Sequence, residues 1–234
     1  MNECPIYAIP GFLGLPSDWK VFNKLPLVPI NHQDYCWNSL KEWAHDFNQK
    51  QLTPKQAILM GYSLGGRLAL HALLDAPAKW KGAIIISSHY GLEDPSLRQQ
   101  RLIHDEKWAH RFETEPWEQL MQSWNAQHIF KNEASFQRLE ESYCRQQLAQ
   151  VLRKSSLGVQ ENLKDKIDQL NIPILWITGA NDQKYCKLAA TLNFTHPLSQ
   201  KMTIQGAGHR APWKDSKTFQ QVIKTNKLAI NDTL

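Results

Sequence analysis

A serine, a carboxylate and an imidazole stand along this chain in an order that suits acyl or proton transfer. Ser63 lies in Gly61-Tyr62-Ser63-Leu64-Gly65, a G-x-S-x-G pattern. Asp182 closes Gly179-Ala180-Asn181-Asp182, and His209 closes Gln205-Gly206-Ala207-Gly208-His209. Serine, acid, histidine is the chain order of α/β-hydrolase triads. Such a set makes a serine oxygen basic or nucleophilic through an imidazole that a carboxylate orients. Asp165, Asp168 and Asp215 are rival carboxylates, each less well placed. Charge developing on a substrate oxygen needs two backbone N–H donors. One is expected at Leu64, just after the serine, and one at Phe12 in the loop Pro10-Gly11-Phe12.

These residues need rigid elements behind them. Ala57 to Met60 reads as a buried strand before the serine, and Gly66 to Leu74 as a helix after it. Strand, sharp turn and helix make the context of a nucleophile elbow. Further apolar runs at Pro5–Ile9, Leu27–Ile30, Gly82–Ser87, Ile174–Thr178 and Met202–Ile204 complete six candidate strands. Most are short and apolar throughout, as expected of strands covered on both faces of a parallel sheet. With the first strand starting at residue 5, the sheet is expected to lack an initial antiparallel strand. Helical patterns at 39–50, 66–75, 183–192 and 216–226 alternate with the strands. The fold class is therefore α/β, a mostly parallel doubly wound sheet with the triad along one edge. Residues 92–168 contain no convincing strand and carry Trp108, Trp117 and Trp124. They read as a helical lid inserted into a core made of residues 1–91 and 169–234.

Composition narrows the options. At 234 residues and 42% hydrophobic, the chain supports one globular core. Its formal charge of +5 comes without a basic run, so nucleic acid is not an expected partner and an anionic substrate is as good an explanation. Cys4, Cys36, Cys144 and Cys186 have neither zinc-ligand nor disulfide-framework spacing, which fits a reducing cytoplasm. No membrane span and no signal peptide are read. The triad requires neither metal nor organic cofactor. Arg67 lies one helical turn beyond Ser63, and Arg98, Arg101 and Arg145 lie in the lid. Arginines converging on a serine imply a substrate with several carboxylates.

Beyond the elbow, Gly61 to Arg67, Ser88-His89-Tyr90-Gly91-Leu92, Arg98, Arg101, Trp108, Arg111 to Pro116, Trp124, Phe130, Ser156 to Gln160 and Gly179 to Lys184 are similar to the menaquinone-pathway family called MenH. The resemblance runs from about Tyr7 to Trp213 and implies an α/β-hydrolase fold. It implies a lyase that eliminates pyruvate from a carboxylated cyclohexene, with Ser63 as base through His209 and Asp182. It further implies Arg67, Arg101 and Arg145 as carboxylate ligands and Tyr62, His89 and Trp124 as substrate-binding residues. Three segments differ from the family, one of them by a few missing residues just after Arg145. Pro10-Gly11 replaces its His-Gly, and Asn31 to Tyr35 stands where it has Leu-Pro-Gly-His-Gly. The alternative is a serine carboxylesterase or thioesterase acting on a small acyl group or on an acidic acyl carrier protein.

Overall fold

The computed structural model describes residues 4–51 and 57–226. Strands β1 (Ile6–Ile9), β2 (Leu27–Pro29), β3 (Ala57–Tyr62), β4 (Trp80–Ile86), β5 (Ile174–Gly179) and β6 (Gln200–Ile204) form one sheet. Helices α1 (Leu40–Lys50), α2 (Leu64–Asp75), α3 (Pro95–Thr114), α4 (Trp117–Asn125), α5 (Arg145–Lys154), α6 (Lys164–Asp168), α7 (Gln183–Ala190), α8 (Ala211–Lys214) and α9 (Ser216–Thr225) surround it. The spatial order is β2-β1-β3-β4-β5-β6, and every pairing is parallel. The expected mostly parallel sheet is thus wholly parallel among the described residues.

The period-two geometry of strands splits their apolar residues between two layers. On one face Leu59, Ile85 and Trp176 pack with Trp43 and Phe47 of α1 and Leu68 and Leu73 of α2. On the other, Ile58, Met60, Ile84 and Ile177 pack with Trp19, Phe22 and the α9 residues Phe219 and Ile223. The continuous apolar strands of the sequence are therefore two interleaved faces, both covered. Helix α1 starts where Ser39 accepts the Glu42 N–H, satisfying one orphan donor of the first turn.

Strand order sets the site. The chain passes from β1 to β2 on one side and returns to place β3 on the other. A crevice opens beyond the C-terminal ends of two strands whose connections diverge in this way. Pro10-Gly11-Phe12 follows β1 and Ser63 follows β3, so both lie at that crevice. A third apolar cluster sits over it, in which Phe112 and Trp108 of α3, Leu120 of α4 and Leu148 of α5 meet Leu13. The helical segment expected over 92–168 includes α6, but Leu163 and Ile167 pack into the sheet core beneath α2 rather than over the crevice. The expected core bounds also take in residues 1–3, 52–56 and 227–234, which lie outside the described residues. Among the described residues no helix is long and apolar enough to cross a membrane.

Candidate active site

Ser63 joins β3 to α2 with no intervening loop. Its backbone sits at φ 52°, ψ −113°, a strained conformation for a residue with a Cβ. The strain is held from both sides. The Ser63 N–H donates to the Ile86 carbonyl at 2.9 Å, and its carbonyl receives the Gly66 and Arg67 N–H groups. Close packing requires Gly65, because a Cβ there would fall 2.2 Å from the Ile9 carbonyl oxygen. Helix α2 thereby presses on the end of β1, which brings the Phe12 loop beside the serine.

The other two residues arrive on adjacent loops. Asp182 follows β5 and His209 follows β6, and those strands pair in parallel. The loops are laced together by the Asn181 N–H donating to the Ala207 carbonyl at 2.8 Å. Gly179 permits the crossing, since a Cβ there would lie 2.1 Å from the Gly208 carbonyl oxygen. His209 Nδ1 lies 2.7 Å from Asp182 Oδ2, and His209 Nε2 lies 3.0 Å from Ser63 Oγ. A carboxylate only accepts, so the imidazole proton sits on Nδ1 and Nε2 is left to accept from the serine. Both His209 and Asp182 are buried.

Ser63, Phe12 and Leu64 line one cavity of about 130 Å³. Leu64 is the first residue of α2, so its N–H has no intrahelical acceptor and is available to an oxygen in the cavity. Arg67 and Arg101 line the same cavity. Arg67 is buried, and its Nε donates to Gln160 Oε1 at 2.6 Å. Its Nη2 has no hydrogen-bond partner, and neither has Gln160 Nε2. Burial and, secondarily, repulsion from Arg101 push the Arg67 guanidinium down to about 9, so it stays charged at neutral pH. Arg101 is held by Asp105, whose two oxygens accept its Nε–H at 2.8 and 2.7 Å. The cavity meets a wider cleft of about 990 Å³, with Arg101, His104, Gln127 and Ile129 in the walls of both.

A family model described as serine aminopeptidase, S33, matches residues 31–209. The 2-succinyl-6-hydroxy-2,4-cyclohexadiene-1-carboxylate synthase of Pectobacterium atrosepticum is 33% identical over 240 residues, covering 94% of this chain and 92% of its own. The enzyme of the same name from Serratia proteamaculans is 37% identical over 172 residues, 71% of this chain and 66% of its own. The chain belongs to this synthase family, MenH. In fold it is similar to MenH from S. aureus, with TM-score 0.79 at 20% identity over 96% of this chain and 93% of that one. A thermophilic esterase from Thermogutta terrifontis superposes with TM-score 0.66 at 18% identity over 94% and 88%.

In this MenH-family chain the expected binding residues divide. Arg67, Arg101, His89 and Trp124 line the cavity with Ser63. His89 Nδ1 accepts the Gly91 N–H at 3.0 Å, which puts its proton on Nε2. Burial, with Lys184, Arg67 and Arg101 nearby, lowers it to about 3, so it stays neutral beside the arginines. Tyr62 lies on the other side of the triad. Its ring packs on His209 and Trp213 at 5.5 and 4.9 Å between centroids and lines a narrow cavity of about 40 Å³ that Phe12 and Trp124 share. Burial raises its hydroxyl well above the ordinary tyrosine range.

Arg145 is not at the site, which corrects the expectation of three converging arginines. It donates to the Phe112 carbonyl at 2.5 Å and to the Glu115 carbonyl, and it pairs with Glu140 at 3.2 Å. It satisfies orphan carbonyls at the C-terminal end of α3. Tyr185, in the cavity wall, and Gln160, the partner of Arg67, carry no expected role. Tyr185 lies three positions after Asp182, and its ring stands 4.8 Å from that of His209. Gln160 holds Arg67 from 93 residues away, a pairing no local pattern signals.

Proposed function

We propose that this protein eliminates pyruvate from 2-succinyl-5-enolpyruvyl-6-hydroxy-3-cyclohexene-1-carboxylate, releasing the compound for which its relatives are named. The observation that carries this reading is Arg67. A buried guanidinium with an unpartnered Nη2, in the same cavity as Ser63, is a site built for an anion that arrives with the substrate. Arg101 adds a second cation, fixed in place by Asp105.

The triad acts here as a base. Ser63 Oγ takes the ring proton beside the succinyl carbonyl while His209 Nε2 accepts the serine proton. The C–H electron pair enters the ring π system, the ring bond to the enolpyruvyl oxygen breaks, and pyruvate leaves as its enolate. The proton gained by His209 is returned to that enolate. No acyl-enzyme forms and no water is consumed. The Phe12 and Leu64 N–H groups stabilise charge on the succinyl carbonyl. Helices α3, α4 and α5 act as a lid that keeps water from the carbanion. Each step uses the chain's own groups, on a small polycarboxylate, and we place the reaction in the cytoplasm.

An esterase or thioesterase would use the same triad, but a neutral ester would leave the Arg67 charge buried and uncompensated. Pyruvate release from the cyclohexene substrate, measured beside hydrolysis of a neutral p-nitrophenyl ester, separates the two. Fast pyruvate release lost in Ser63→Ala, with slow ester hydrolysis, supports elimination. Brisk ester hydrolysis without pyruvate refutes it.

A further inference from the structure

Arg210 follows His209 directly, and it is almost wholly buried. Apart from Tyr62, its side-chain partners come from the end of α4 and the segment that leaves it. Its Nη2 donates to Asn125 Oδ1 at 2.8 Å and its Nη1 to the Ala134 carbonyl at 2.5 Å. Its guanidinium lies over the rings of Phe130 and Phe136, 4.2 and 5.4 Å from their centroids. The same segment grips the backbone of the His209 loop. Both Glu133 oxygens accept the Arg210 N–H, at 2.8 and 3.1 Å. The Glu133 carboxylate is seated so closely on Gly208 that a Cβ there would lie 2.6 Å from Glu133 Oε1. Asn132, at φ 64°, makes the turn that aims Glu133 inward, a conformation asparagine tolerates better than most residues. Phe130 completes the contact, its ring 5.9 Å from that of His209.

We infer that Glu133 and Arg210 are positioning residues that join the lid to the triad. The lid strap, residues 126–138, clasps the loop on both sides of His209, and the imidazole reaches Ser63 Oγ only while the strap is seated. The chemistry explains why a clasp is needed. His209 stands on a loop with glycines at 206 and 208, and Gly206 has φ 71°. Such a loop has more freedom than a base held within hydrogen-bond reach can tolerate. The burial of an arginine side chain among lid groups supplies the rigidity that the loop lacks. Lid seating and triad assembly thereby become one event, which keeps the base inactive while the cavity is open to water. This inference rests on the Ser63–His209–Asp182 reading but not on the identity of the substrate.

The test uses a small fluorophosphonate that exchanges its fluoride for Ser63 Oγ, applied to the full chain. Labelling is followed by mass spectrometry against probe concentration, which separates maximal rate from half-saturation. Glu133→Ala and Arg210→Ala are expected to lower the maximal rate by about 10- to 100-fold, the usual penalty for slight misplacement of a catalytic group. Half-saturation stays unchanged, because neither residue lines the Ser63 cavity. Glu133→Gln keeps an acceptor for the Arg210 N–H and is expected to restore the rate to within about three-fold, since that hydrogen bond is what seats the strap. Glu133 is only partly buried, so Glu133→Ala carries the test even if Arg210→Ala does not fold. Unaltered maximal rates in Glu133→Ala, or no rescue by Glu133→Gln, would overturn the clasp while leaving the triad intact. Failure of the unsubstituted protein to label at Ser63 would overturn the triad itself, and the clasp with it.

Discussion

Replacing Arg67 by methionine should make the protein more stable and less able to bind its substrate. Methionine keeps the buried stem and removes the charge. The fall of the guanidinium from its ordinary arginine range to about 9 corresponds to roughly 5 kcal/mol of unfavourable differential solvation and repulsion. Against this, Gln160 Oε1 loses its donor, which costs about 1–3 kcal/mol. The balance favours the variant by about 2–4 kcal/mol, or a Tm rise of about 4–16 °C for a chain of this size. The pH dependence follows from linkage. This cation has a folded-state pKa below its unfolded value, so from about 9 up to the ordinary arginine range the unfolded chain binds more protons and stability rises with pH. Below about 9 both states are charged and the wild type carries the full penalty. The advantage of Arg67→Met should be constant from pH 6 to 8 and shrink above about 9. Thermal and urea unfolding across that range, beside kcat/KM for the carboxylated substrate, provide the assay. A loss of one charge-assisted hydrogen bond lowers kcat/KM by about 10- to 150-fold. A less stable Arg67→Met would refute the reasoning, for it would mean that the free protein already compensates the charge.

Other substitutions probe the supports. Gly65→Ala should cost about 3 kcal/mol or more, because its Cβ meets main-chain oxygens of Ile9 and Pro10 that cannot swing aside; a Tm within 2 °C of wild type would contradict this. Arg145→Ala should lower stability by about 1–3 kcal/mol through lost carbonyl partners and leave KM for the carboxylated substrate unchanged, the reverse of Arg67→Met. Lys131, Lys184 and Lys214 line the wide outer cleft, so raising ionic strength from about 10 to 150 mM should cut kcat/KM for a polycarboxylate by roughly ten-fold and leave a neutral ester untouched. Equal salt effects on both would argue against electrostatic capture.

The residues most legible in the sequence are those set by local backbone chemistry. Ser63, Asp182 and His209 each stand just beyond a strand end, and parallel strands deliver their C-terminal ends to one edge whatever the packing details. Strand and helix positions followed from apolar runs for the same reason. For Arg145 the family resemblance matches position along the chain, which is silent about what lies across from the side chain. Tertiary packing put it against the end of α3, where unsatisfied carbonyls claimed it. Arg210 carries no local signal although it adjoins His209, since nothing in the sequence distinguishes a buried arginine from a solvated one. Its partners lie 76 to 85 residues away.

The distribution of strain argues that the cavity is the working part of the molecule. The sheet faces are apolar and fully covered, with strand residues such as Ile58, Met60, Ile84 and Trp176 at 0% exposure. Several departures from ideal folding lie at or beside the crevice. Ser63 has a strained backbone, Arg67 an uncompensated charge, Gln160 an unsatisfied amide, and His89 an imidazole surrounded by cations. Each one destabilises the free protein, and none helps close the core. Local rules broken together in one place mark a functional site. The defects also share a sign. An anion in this cavity would neutralise Arg67 and offset the charge around His89. Ester hydrolysis needs the strained serine alone, whereas a carboxylated substrate also makes use of the charge on Arg67. The cavity therefore records the charge of its ligand in the polar groups the free protein leaves unpaired.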